Sequence, residues 1–105
     1  MTEYCVIFTN ATDAAEAEKI TIALLSANAA ACISRVSAQS AYWWKGKIDT
    51  IDEFFLQIKT RADLFPTVEK IIRENCSCEI PELFAIPIIA GGKDYLDWIK
   101  EETKG

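Results

Sequence analysis

Cys76-Ser77-Cys78-Glu79 is the stretch whose residue types and spacing come nearest to a chemical site. Two thiolates separated by one residue can grip a soft ion such as Cu(I), or contribute to a zinc site. In an extended segment both side chains point the same way, since strand side chains alternate. A closed zinc site takes about four ligands, so this pair alone does not complete one. The plainer reading is that two loop cysteines fill space at a helix end. The chain contains no histidine, the commonest general base and the commonest metal ligand. Ser-His-Asp and Cys-His arrangements are therefore impossible. Gly91-Gly92 reads as a strand-to-helix turn and not as a phosphate loop. The expectation is a protein that is not an enzyme.

A second constellation is aromatic: Trp44, Tyr95 and Trp98. They read either as packing, with the indole N–H groups finding partners, or as the walls of a small-molecule cleft between subunits. In the second case Lys59 and Glu82 are its convergent polar groups. Lys45 and Lys47 flank a turn and read as protection of a hairpin end against wrong pairing.

These groups must be held by one domain spanning residues 1–105, a length at which a single core forms. Half the residues are hydrophobic, enough for a core without a staple. The net charge of −5 argues against partners such as nucleic acid, whose phosphates need Lys and Arg, and against an anionic membrane surface. No stretch reads as a secretory signal or spans a bilayer, so the expected location is cytoplasmic. There the four cysteines stay reduced, with Cys5 and Cys32 as small buried hydrophobes.

Tyr4–Thr9 reads as a first strand and Asn10–Asp13 breaks it. Asp13 and Glu16 form a capping pair for a helix to about Asn28, with Ala17, Ile20, Leu24 and Ala27 on one face. A second strand begins near Ala31 and runs to the aromatic tip Tyr42-Trp43-Trp44, with a bulge or kink expected in its polar middle, Ser34 to Ala41. Gly46 supplies the turn. The third strand carries Phe54 to Thr60. Asp63 is expected to cap a helix from Leu64 to about Asn75, with Pro66 in its first turn. A fourth strand starts after Pro81, with Pro87 at an edge, and a last helix covers Asp94 to Glu102. The order β-α-β-β-α-β is an α+β, ferredoxin-like antiparallel sheet with a long central hairpin and an extra C-terminal helix. Both main helices cover one face, so Phe54, Phe55, Leu56 and Ile58 point to a second apolar face that meets other subunits.

Several motifs carry a family resemblance: Ala30-Ala31-Cys32, Tyr42-x-Trp44-x-Gly46-Lys47, Lys59-Thr60-Arg61 with Asp63-Leu64-Phe65, Glu79-x-Pro81-Glu82, and Tyr95-Leu96-x-Trp98. In order and spacing, from about Phe8 to Trp98, the chain resembles CutA, the divalent-cation tolerance proteins. The resemblance implies a homotrimer whose hairpins and sheet edges pair around a threefold axis. It also implies a role in tolerance of copper and other divalent metals. Family members proposed to bind copper use a cysteine before the first-strand threonine and one or two histidines before a Tyr-x-x-Pro-Glu segment. Here those positions hold Phe8, then Asn75 and Cys76, and Cys78 stands at the tyrosine. Any metal site, whether for copper or another soft or divalent ion, would be rebuilt around Cys76, Cys78 and Glu79. Ferredoxin-like trimers resembling the nitrogen-signalling PII proteins suggest an alternative, a nucleotide or other small-molecule ligand in the intersubunit cleft.

Overall fold

The structure, a computed structural model, describes residues 3–104. β1 (Tyr4–Ala11), α1 (Ala14–Ser26), β2 (Cys32–Trp44), β3 (Lys47–Arg61), α2 (Phe65–Asn75), β4 (Leu83–Pro87) and α3 (Lys93–Glu102) follow one another, with a single 3-10 turn at Ala62–Leu64 before α2. The strands form one antiparallel sheet in the order β2-β3-β1-β4. This is the ferredoxin-like arrangement expected from the sequence, and no helix among the described residues is long and apolar enough to cross a membrane.

Local chemistry explains the helix limits. Asp13 accepts the Glu16 N–H at 2.8 Å, while the Glu16 carboxylate reaches back to the Thr12 N–H at 3.0 Å. Two free donors at the start of α1 are thereby satisfied. The other end stops at Ser26, two residues short of the expected limit. Asn28 adopts φ 54°, and the N–H groups of Asn28 and Ala29 return to the carbonyls of Leu25 and Leu24. Those paired bonds around a left-handed residue terminate the helix and leave Ala27 exposed. Asp63 does not cap α2: it lies inside the 3-10 turn and pairs with Arg61 at 3.2 Å. Pro66 does occupy the first turn of α2.

The β2–β3 hairpin is an arm that gives the molecule its long axis of 44 Å. Its pairing runs one to one from Cys32 opposite Lys59 to Trp44 opposite Lys47, so the polar middle of β2 contains no bulge. Ser34 to Ala41 is polar because much of it is exposed, not because its ladder breaks. Lys45 and Gly46 both have positive φ, 51° and 81°, as a type I′ turn requires. β4 is an edge strand, and Pro87 ends it where Ile88 resumes bonding to Tyr4.

Opposed residues share a face of the sheet, which divides the side chains cleanly. Ile7, Leu56 and Ile58 point to the helices and join Ala17, Ile20, Leu24, Val68 and Ile72 in one core, with Phe54 packed against it. Of the four apolar β3 residues expected to overflow the helices, only Phe55 lies on the other face. That open face is apolar through different strands. Phe8 stacks on Phe84 with centroids 5.0 Å apart at 8°, and meets Phe55 at 5.6 Å. Val36 opposite Phe55, and Ile86 opposite Val6, extend the patch, and both are about half exposed.

Candidate functional site

Two groups of polar side chains flank this aromatic patch. On the arm side, Glu53 is buried to 8% exposure, although it carries a carboxylate. Asn10 Nδ2 donates to one of its oxygens at 2.8 Å and Ser40 Oγ to the other at 2.5 Å. Such paired donors are what makes burial of a carboxylate tolerable. Asn10 Oδ1 in turn accepts the Glu82 N–H at 3.4 Å. Burial raises the Glu82 carboxyl above its usual range, and the Glu53 charge adds to the rise. None of Asn10, Ser40 and Glu53 was visible as a site residue from sequence. They converge only once β1, β2 and β3 are in register, and the one local hint is an acid immediately before Phe54-Phe55.

On the opposite side, Lys59 donates to Ser34 Oγ at 2.8 Å. It lies directly across from Cys32. Burial, followed by the Cys32 thiol, raises the Tyr95 phenol. Tyr95 and Trp98 pack together with centroids 5.9 Å apart. Tyr95 and Trp98 thus meet each other and Lys59 meets Ser34, whereas Glu82 belongs to the Glu53 group. Trp44 is twelve residues up β2 from Cys32, about 40 Å away at ~3.3 Å per residue. There it is covered by Lys45, whose Nζ is 5.6 Å from the ring centroid. The five aromatic and polar residues expected to line one cleft do not meet within a single chain.

Cys76, Ser77 and Cys78 leave α2 as an irregular segment tied to the start of α1. The Ser77 N–H donates to Glu16 Oε2 at 2.9 Å, and Cys76 Sγ lies 3.9 Å from the Cys78 carbonyl oxygen. Burial pushes the Cys78 thiol up, and the Glu16, Cys76 and Glu53 groups push it further. Cys76 lines an open depression of about 260 Å³ with Glu16, Lys19 and Glu74. Glu79 is exposed. Among the described residues no three His, Cys, Asp or Glu side chains stand close enough to hold a metal ion. A closed divalent site therefore does not fit one chain, and Phe8 is committed to ring stacking.

Glu16 links the loop to the helix and gives a pH signature. Burial pushes its carboxyl up, but hydrogen bonds from Thr12 and Ser77 outweigh that and leave it below its usual value. A carboxyl lowered on folding adds stability above its unfolded pKa, and that stability is lost as the pH falls through the folded value. Glu16→Gln is expected to destabilise the protein at pH 7 and to destabilise it less at about pH 3, below the usual carboxylate range. Urea titrations of both proteins at the two pH values check it; an equal loss at both removes the linkage.

Known proteins share this architecture. Residues 5–102 match the family model described as CutA1 divalent ion tolerance protein. A divalent-cation tolerance protein CutA of Archaeoglobus fulgidus is 39% identical over 98 residues, covering 93% of this chain and 96% of its own. The solved structure of the Archaeoglobus fulgidus protein, described as a periplasmic divalent cation tolerance protein CutA, superposes with a TM-score of 0.94 at 37% identity, over 96% of this chain and 99% of that one. CutA1 from the psychrotrophic bacterium Shewanella sp. SIB1 gives a TM-score of 0.95 at 35% identity, over 99% and 98%.

Proposed function

Because the chain belongs to the CutA1 divalent ion tolerance protein family, we propose that it works as a homotrimeric, non-enzymatic binding protein in the response to metal ions. The observation that carries this reading is the open sheet face. Phe8, Phe55 and Phe84, with Val36 and Ile86, form an apolar surface that the chain's own helices leave uncovered, and such a surface on a folded protein is one that meets a partner. A non-enzymatic role is supported by the lack of any histidine to act as base for a nucleophile. The four free cysteines suit a cytoplasmic location.

The metal contact we propose is Cu(I) held by Cys76 and Cys78, with Glu79 near enough in sequence to join on rearrangement. Soft thiolate ligands favour Cu(I) over harder divalent ions. The second reading is a trimer that senses a small molecule, a nucleotide among the candidates. It is supported by the Tyr95–Trp98 pair, which supplies two aromatic faces for Lys59, Glu82 and Trp44 to complete from this chain or a neighbour.

Light scattering at micromolar concentration tests the assembly: three times the chain mass of 11.7 kDa is expected, and a monomer would overturn it. A thermal-shift screen separates the ligands, since whatever binds only the folded state raises the melting temperature. Cu(I) is expected to stabilise the wild type and to lose at least tenfold in affinity, about 1.4 kcal/mol, in Cys76→Ser/Cys78→Ser by chelator competition. Unchanged affinity in that variant removes the thiol grip, and stabilisation by ATP without any by copper favours the second reading.

A further inference from the structure

We propose that Cys76 and Cys78 are a modification site: a dithiol that closes to an intramolecular disulfide by exchange with a low-molecular-weight disulfide such as glutathione disulfide. This goes beyond the binding role and holds whether or not the loop takes up a metal. Three observations carry it.

The first is reach. Cys76 has extended backbone, φ −102° and ψ 153°. Its Sγ already lies over the segment, 3.9 Å from the Cys78 carbonyl oxygen. Two residues of extended chain span about 6.6–7.2 Å, at the upper edge of the ~4.4–6.8 Å between Cα atoms that a disulfide bridges. A small bend at Ser77 brings the pair within range.

The second is access. Both thiols are half-buried and uncommitted to any disulfide, and Cys76 lines the open depression beside Lys19. Cys5, by contrast, is buried in the core. The third is the hold on the loop. The Glu16 carboxylate grips the Ser77 N–H at 2.9 Å, fixing the residue between the two sulfurs while leaving the Ser77 side chain exposed. The grip is on the N–H alone, so the loop stays anchored to α1 while the Ser77 ψ angle is free to supply the bend.

The exchange balances in two steps. The Cys76 thiol gives its proton to water, and the thiolate attacks one sulfur of glutathione disulfide. That S–S bond breaks, a mixed disulfide forms on Cys76, and the first glutathione leaves as thiolate and takes up a proton. Cys78 then loses its proton and attacks the Cys76 sulfur, expelling the second glutathione, which is protonated in turn. Two electrons pass from the cysteine pair to glutathione disulfide, which ends as two thiols.

Intact-mass analysis after incubation with glutathione disulfide tests this, in a Cys32→Ser background that removes the other half-exposed thiol. The expected product is lighter than the reduced protein by about 2 Da and carries no glutathione, while further replacement by Cys78→Ser leaves Cys76 with a stable adduct of about 305 Da. The closed product should open again with excess dithiol. Stable glutathione adducts on the Cys76/Cys78 pair, or a pair that stays reduced where the Cys78→Ser protein is modified, would overturn the proposal. A Cys76 that resists glutathione in every variant would do so too, by showing that the depression does not admit the oxidant.

Discussion

Phe8→Asp is expected to convert the proposed trimer to folded monomers at micromolar concentration. Phe8 is the middle ring of the open face, stacked on Phe84 and tilted against Phe55. If this face meets other copies, a carboxylate at its centre is taken out of water without a cation to pair with. The effective penalty for such a charge is several kcal/mol per ion, repeated once per subunit around a symmetric interface. Within one chain, the substitution touches none of the helix-side core, because Phe8 points away from Ile7 and Leu56. Dissociation without unfolding is therefore the specific outcome, read as a drop to one chain mass by light scattering with unchanged far-UV circular dichroism. Phe8→Leu keeps the surface apolar and should stay assembled. A Phe8→Asp protein that remains a trimer would show that the face is not the contact.

Ile58→Ala is the second large effect, and it acts on the chain itself. Ile58 is fully buried, lies opposite Ile7 on one side and Ile33 on the other, and faces the helices. Truncating a side chain so placed removes its transfer free energy and leaves a cavity that its neighbours cannot fill, a cost of about 2–5 kcal/mol. Ile48 is the same residue type on the same strand but 67% exposed, so Ile48→Ala should change stability by less than about 0.5 kcal/mol. Denaturant midpoints at one fixed protein concentration compare the two, since assembly makes stability depend on concentration. Equal losses would mean that Ile48 is covered in the assembled protein.

The order of elements was legible because its punctuation is chemical. Asn10 to Asp13, Gly46 and Pro81 each stop one periodicity before another begins, and each lies at or beside an element boundary, although β1 runs two residues past its expected end, through Asn10 and Ala11 paired with Phe55 and Phe54. The errors have physical causes. Ser34 to Ala41 resembles a broken strand because an exposed two-stranded arm needs few apolar residues, while its backbone pairing is invisible in composition. Asp63 resembles a cap, but Arg61 two residues earlier competes for it. The second apolar face was anticipated, yet three of the four β3 residues expected to build it serve the core, and Phe8, Phe84 and Phe55 build it instead. The Glu53 centre could not be foreseen, since Asn10, Ser40 and Glu53 are neighbours only through strand register. Of the motif residues, Tyr95 and Trp98 meet each other, whereas Glu82 and Trp44 stand with other groups.

The unbroken ladder of the arm makes it a spacer that can be cut in graded steps. Each cross-strand pair taken out brings the tip closer by about 3.3 Å and turns it to the opposite face. Pairs removed two at a time shorten the reach by about 7 Å and leave Trp43 and Trp44 facing as before. A kinked arm would scramble that relation, because every deletion would also change the bend. The distance between the sheet and the tryptophans is thus one that can be varied independently of everything else in the fold.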